Sequence, residues 1–225
     1  MTYFNSKTAN SQPSQRKRFN PLSALRKTSR DFKGDKSGVA AIEFAFIAPI
    51  MITIYFGLAE IASAISVDRR VSHTANVVGD LATQTTNITT AETQEIFAAA
   101  LRVLNIRDIQ DVTIELSSYE MDNQDPPQPV LIGQATLNSG QTLPEFDAAD
   151  VDERILNPTS GVVVARITYS YTPLKLRFFD TDIELKEIFL LKPRQSASIP
   201  IGDNPDAPIN CSTNEQGNVS CGGTI

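Results

Sequence analysis

The chain has 225 residues, of which 41% are hydrophobic and 20% charged; this composition suits one folded domain with appended segments and argues against a large multidomain enzyme. Its net charge of −6 conceals a sharp asymmetry, because residues 1–37 hold nine Lys or Arg against two Asp, whereas the remainder holds 11 basic and 24 acidic residues. That acidic remainder has no basic patch with interleaved aromatic residues, which argues against nucleic-acid binding.

The first two segments of the chain have the composition of a membrane anchor. Residues 1–38 are basic and polar, and we expect them to remain in the cytoplasm, because Lys and Arg beside a membrane helix set its orientation. Residues 39–67 predict a transmembrane helix whose only charged members are Glu43 and Glu60 and which Pro49 should bend. The uninterrupted apolar part, 44–59, falls short of the about 20 residues that span a bilayer, so it spans only with help at its ends.

A helical pattern continues beyond the apolar segment. Small or apolar residues at steps of three or four mark one helix face, namely Ile61, Ile65, Val71, Ala75, Val78 and Ala82. Thr89 and Glu92 match a capping box, which predicts a second helix over about 91–104. An acidic stretch at 144–156 predicts a third, short helix.

The remaining sequence predicts β-strands. Alternating or branched apolar residues occur in "DVTIELSSY", "PVLIGQATL", "GVVVARITYSYTP" and "DIELKEIFLLKP", with Val112, Ile114 and Leu116 facing inward on the first. We therefore predict an α+β fold for residues 68–200, in which a long N-terminal helix, half transmembrane and half soluble, packs on a small, mostly antiparallel sheet. The strand order stays open at this stage.

Two cysteines lie in the Gly-, Asn- and Ser-rich segment 201–225, which we expect to form a separate C-terminal tail. If this tail is exported, an oxidising compartment favours a disulfide between Cys211 and Cys221. A metal site is not expected, because neither His nor further Cys lies nearby to complete a ligand set.

Motifs for catalysis are lacking in the sequence. His73 is the only histidine and lies on the predicted helix beside two arginines, where an exposed structural role is expected. No GxSxG elbow and no glycine-rich phosphate loop occurs. We therefore expect neither an enzyme nor a bound cofactor.

The stretch "GVAAIEF" places Gly38 directly before an apolar segment whose fifth residue is Glu43 and whose sixth is Phe44. This arrangement resembles the processing motif of type IV prepilins. The wider stretch "DKSGVAAIEFAFIAPIMITIYFGLAEIASA" is similar to the N-terminus of the TadE/TadG-like pseudopilins of the tight-adherence (Flp) pilus system. More weakly, "VVVARITYSYTPL" followed by "IELKEIFLLKPR" is similar to the closing strands of that family.

The resemblance implies a pilin-like fold and a role in assembling a pilus for surface adherence. It implies that a prepilin peptidase cuts after Gly38 and leaves Val39 as the new N-terminus, and that Glu43 then pairs with the freed amine of a neighbouring subunit. The implied partners are the bacterial inner membrane, the peptidase, other pilin or pseudopilin subunits and the assembly platform. The domain would be periplasmic, and its size, larger than that of the major Flp pilin, favours a minor subunit.

Two other interpretations remain open. The sequence "ASA" at 62–64 matches a signal-peptidase site after an apolar core, and cleavage there would release a secreted protein starting at Ile65. Alternatively, the segment is an uncut signal anchor that holds a periplasmic binding or adhesive module.

Overall fold

The computed structural model describes residues 37–106, 108–173, 182–204 and 206–223. The basic N-terminal segment, except for Ser37 and Gly38, therefore lies outside the described residues. Of the described residues, 37–53 belong to one unit and those from Ile54 onward belong to another.

A single long helix, α1, covers the predicted transmembrane segment and continues beyond it, from Ser37 to Ala82. Pro49 lies inside the helix, and the hydroxyl of Thr53 donates a hydrogen bond to its carbonyl at 2.8 Å. In the first unit the large apolar side chains of α1 are all exposed, namely Val39, Ile42, Phe44, Phe46, Ile47, Ile50, Met51 and Ile52. A helix that is apolar on every side and lies outside a protein core has the surface expected of a membrane span.

The second helix, α2, runs from Thr90 to Leu104 and begins at the predicted capping box. The Thr89 hydroxyl accepts the Glu92 backbone N–H at 3.3 Å, and the Glu92 carboxylate accepts the Thr89 N–H at 2.8 Å. Asn105 ends the helix in the left-handed conformation. The buried face of α2 includes Ile96, Phe97, Ala100, Leu101 and Leu104, so its apolar spacing faces the core.

Six strands form one sheet, β1 (Val112–Met121), β2 (Pro129–Leu137), β3 (Val162–Tyr171), β4 (Ile183–Leu191), β5 (Ile209–Thr213) and β6 (Val219–Gly223). Their order is β4-β3-β1-β2-β5-β6, and every neighbouring pair is antiparallel except β2 and β5. Ile114 pairs with Leu137 on one side and with Ile167 on the other, which places apolar residues of three strands on the same face. This face packs on the helices and forms the main core, so the predicted α+β fold is confirmed.

The segment 201–225 is not a separate tail, because β5 and β6 extend the sheet. Ile209 and Cys211 are buried at alternating positions of β5, and Val219 is buried on β6. The surrounding Gly, Asn and Ser conceal these short strands in the sequence. The connection leading to β5 is also held in place, because Ile201 bridges both Ile88 and Gly133.

The prediction of an acidic helix over 144–156 is also wrong. The structure has only a short 3₁₀ turn there, Ala148–Asp150, followed by further turns. This segment packs its apolar side chains on the sheet face opposite the helices. Phe146, Val151 and Ile155 contact a small cluster built on Leu156, Val162 and Val164. These contacts, rather than helical periodicity, explain the apolar residues of the stretch.

Candidate functional site

The two residues of the expected cleavage site lie in the first turn of α1. Gly38 is exposed, and a Cβ added to it would meet nothing within 4 Å. Val39 is also exposed. The first turn of a helix lacks half of its intrahelical hydrogen bonds and opens readily, so this position suits a peptide bond that a protease must bind in extended form.

Glu43 and Phe44 follow on the exposed surface of the same unit. Phe44 is 71% exposed, and Glu43 is exposed and has no ion pair among the described residues. In water such a carboxylate is unremarkable. In hydrocarbon it would need an opposite charge, because an unpaired carboxylate there costs several kcal/mol.

The second glutamate of α1, Glu60, has different surroundings. It is only 4% exposed, and neither of its carboxylate oxygens has a hydrogen-bond partner within the part of the chain that the structure describes. It begins the stripe of α1 that faces the core, which continues through Ala64, Val67, Val71, Ala75, Val78 and Ala82.

The sequence prediction placed Ile61 and Ile65 on this core face, and that assignment was wrong. They are 45% and 49% exposed, whereas the positions at the same helical spacing from Val71 are Glu60, Ala64 and Val67. The spacing itself contained the signal, but a charged residue is normally excluded from a core stripe. The preference for hydrophobic residues therefore led to the prediction of Ile61 and Ile65 on the core face, each one position after the residue that actually lies there, Glu60 or Ala64.

The charge of Glu60 affects the pKa of Tyr171, which lies at the end of β3. Burial raises the pKa of the Tyr171 hydroxyl, and the nearby Glu60 charge raises it further. The pKa of Tyr169 is also raised, first by burial and then by the charges of Asp108 and Asp111. Near the end of β3 the structure thus has a buried carboxylate, Glu60, and a pair of tyrosines, Tyr169 and Tyr171, whose ring centroids lie 6.5 Å apart.

Cys211 and Cys221 are directly paired across β5 and β6, with Cα atoms 4.0 Å apart and sulfur atoms at bonding distance. This agrees with the pairing expected from the sequence. His73 lies exposed on α1. Among the described residues, no group of three His, Cys, Asp or Glu side chains is placed to hold a metal ion.

Residues 38–79 match the family model described as TadE-like protein. This segment of the chain is similar to TadE-like proteins. The match begins at Gly38 and includes both Glu43 and Glu60 as well as most of α1, whereas α2 and the sheet lie beyond it. No curated protein and no solved structure gave a significant match to the chain.

The matched helix also has the properties of a membrane anchor. Of the described helices, only α1 is long and apolar enough to cross a membrane, and no residue of its most apolar part is buried. Its place near the N-terminus is compatible with single-pass anchoring. The weaker resemblance at the closing strands falls on β3 and β4, which are antiparallel neighbours outside the matched region.

Proposed function

We propose that this TadE-like protein is a minor pilin-like subunit, a pseudopilin, that takes part in assembling a Flp/Tad-type pilus for surface adherence. The observation that carries the proposal is the TadE-like helix itself, in which an exposed Glu43 stands alone in an exposed apolar surface five residues after Gly38. Pure anchoring gives no reason for that charge. An ion pair between neighbouring subunits would explain it.

The proposed mechanism begins with cleavage after Gly38 by a prepilin peptidase. Cleavage creates a positively charged amine on Val39 and removes the basic leader. Glu43 of one subunit then pairs with the Val39 amine of its neighbour. Such a pair is favourable in hydrocarbon only when the two charges meet closely, so it fixes the axial register of adjacent helices.

The proposed topology follows from charge and cysteine chemistry. The basic leader lies in the cytoplasm, α1 crosses the inner membrane once, and the sheet domain lies in the periplasm. The pairing of Cys211 with Cys221 suits that oxidising compartment. The role is structural, without catalysis or a cofactor, and the partners are other pilin or pseudopilin subunits and the assembly platform.

The mature N-terminus, measured by intact mass and peptide mapping on protein from its own membranes, tests the processing step. We expect a chain that starts at Val39. An intact Met1 end would favour an uncut anchor for a periplasmic binding or adhesive module, and a start at Ile65 would indicate a secreted protein. Gly38→Val should block the cut, and Ser37→Ala is its matched control.

Glu43→Ala tests the assembly step. We expect membrane insertion to be unchanged and pili to be lost, because the variant removes the charge that the Val39 amine would meet. Ile42→Ala is a control at the neighbouring exposed position. Pili counted by electron microscopy at the normal level in Glu43→Ala cells would rule out the proposed pairing.

A further inference from the structure

An open groove of about 400 Å³ lies between the end of α1 and the first turns of α2. Its apolar lining comprises three side chains, Leu81, Ile96 and Ala99. Two carboxylates, Glu92 and Glu95, also line it, and neither forms an ion pair with another described residue. Arg194 is already paired with Asp80 at the end of α1. We call this surface the acidic groove, since it combines apolar contact with uncompensated negative charge.

The side of α1 that faces away from the sheet has the complementary character. Arg69 and His73 each lie two residues from the buried Val71, which places them about 200° from it around the helix. Both are exposed, and Ile65, one turn before Arg69, is 49% exposed. Neither Arg69 nor His73 forms an ion pair within the part of the chain that the structure describes. We call Ile65, Arg69 and His73 the basic stripe.

The other charged residues in this part of α1 point to other sides of the helix. The Arg70 guanidinium donates to the Asn105 carbonyl at 3.1 Å, so it lies against the end of α2. Asp68 lies one turn before Ser72, whose hydroxyl donates to the Glu187 carboxylate of β4. Asp68 is therefore on the side of α1 that faces β4. The basic stripe thus presents a positive charge beside an exposed apolar side chain.

The groove and the stripe of one copy cannot meet each other, because both are fixed to the same helix. Leu81 follows Arg69 by twelve residues, which is about 18 Å along α1 and about 120° around it. The two surfaces therefore face different directions at different levels, and each can contact a different copy. With parallel helices, such a head-to-tail contact displaces each copy along the helix axis, so the row of copies stays open and does not close into a ring.

We propose that the acidic groove of one copy receives the basic stripe of the next copy, with Ile65 on the apolar lining and Arg69 opposite Glu95. The inference rests on the proposed function, because copies anchored side by side in a membrane lie at one level, whereas assembled subunits are staggered. The contact therefore belongs to the assembled state. The proposed pair of Glu43 and Val39 needs an offset of only about 6 Å, so the two contacts join different neighbours.

Cross-linking between two tagged forms of the full chain tests the contact. One form has Ser66→Cys, beside the basic stripe, and the other has Ala99→Cys, in the acidic groove. The natural cysteines are paired with each other and do not react. We expect a short bismaleimide to give a product with both tags in pili sheared from the cells. In the matched control, Ser139→Cys, an exposed position outside the groove, takes the place of Ala99→Cys and should give only background.

Charge reversal in both tagged forms then identifies the residues in contact. Arg69→Glu or Glu95→Arg should each lower the two-tag product on the order of tenfold, because like charges then face each other. The combination of both changes should restore the product, since an opposite pair forms again. Glu95 is changed in preference to Glu92, because the Glu92 carboxylate holds the capping box of α2. Glu145→Arg reverses an exposed charge outside the groove and should have no effect.

The outcomes separate this inference from the proposed function. If the chain never appears in sheared pili, both fail. If it appears there and the two-tag product stays at the level of the Ser139→Cys control, the inference alone is overturned. Efficient cross-linking only between two Ser66→Cys forms would indicate a two-fold contact and would overturn it as well. A double charge variant that gives as little product as the single variants, with a domain that limited proteolysis shows to be folded, would exclude the pairing of Arg69 with Glu95.

Discussion

Glu43 and Glu60 are alike in chemistry and share one helix, yet their surroundings differ. Glu43 is exposed on an apolar surface, where a charge from another chain can reach it. Glu60 is buried at the start of the core stripe, where such access is closed. A third carboxylate, Glu115, is buried with a partner, because the Arg166 guanidinium and the Ser117 hydroxyl both donate to it. Burial and partner, rather than residue type, decide what each carboxylate can do.

Gly133 provides the sharpest prediction for a single residue. A Cβ at this position would collide with the backbone N–H and carbonyl of Ile201, which bridges to β2 there. We expect Gly133→Ala to lower the free energy of unfolding by about 1–3 kcal/mol, since the backbone of Ile201 must move. Thermal unfolding of the detergent-solubilised chain measures this. Gly140→Ala is the matched control, because a Cβ there meets nothing within 4 Å, and an equal effect of both variants would contradict the explanation.

At the scale of elements, the β5–β6 hairpin depends on contacts distant in sequence. It joins the sheet through only three parallel residue pairs between β2 and β5. Asn138 adds to this attachment, because its side-chain amide donates to the Val112 carbonyl at 3.2 Å and its oxygen accepts the Thr213 N–H at 3.0 Å. The disulfide between Cys211 and Cys221 then links β5 to β6.

Removal of the disulfide should therefore destabilise the β5–β6 hairpin more than the rest of the sheet. We expect the double variant Cys211→Ser with Cys221→Ser to lose about 2–3 kcal/mol, the cost of closing a short loop without a cross-link. Hydrogen exchange should increase most in residues 209–223 and least in β1 and β3. The Ser212→Ala variant, exposed on the same strand, serves as a control, and uniform acceleration across the sheet would contradict a local effect.

At the scale of the whole molecule, the sheet of the second unit is covered on both faces. The helices cover one face, and the segment around Phe146 and Leu156 covers the other. The tyrosines at the end of β3 belong to the helix-covered core, which removes them from water. Their ionisation is therefore linked to the folding of the entire domain.

This linkage predicts a loss of stability in alkali. Burial raises the pKa of Tyr169 and Tyr171 above the ordinary value of 10.0. The folded state thus keeps protons that the unfolded chain releases, so the free energy of unfolding should fall as the pH rises above about 10. The measurement is the melting temperature between pH 8 and 11, for the original chain and for the double variant Tyr169→Phe with Tyr171→Phe. We expect the melting temperature of the original chain to fall more steeply above about pH 10 than that of the double variant. An equal alkaline loss in the double variant would assign it to other groups.

The sequence by itself determined the features that depend on local pattern. The apolar segment, the α2 capping box and the first four strands follow from periodicity and from neighbouring residues, and the structure has them where they were predicted. The Gly38–Glu43 motif likewise indicated the TadE-like helix before any fold was known.

Only the tertiary structure decided which helix face is buried, what covers the second face of the sheet and where β5 pairs. Glu60 replaced Ile61 in the core stripe because the sheet contacts α1 from that side, and helical spacing fixes a face only to within one neighbouring position. β5 joined β2 in parallel because residues far apart in sequence exclude water together. Such non-local burial leaves no periodic signal in a five-residue strand.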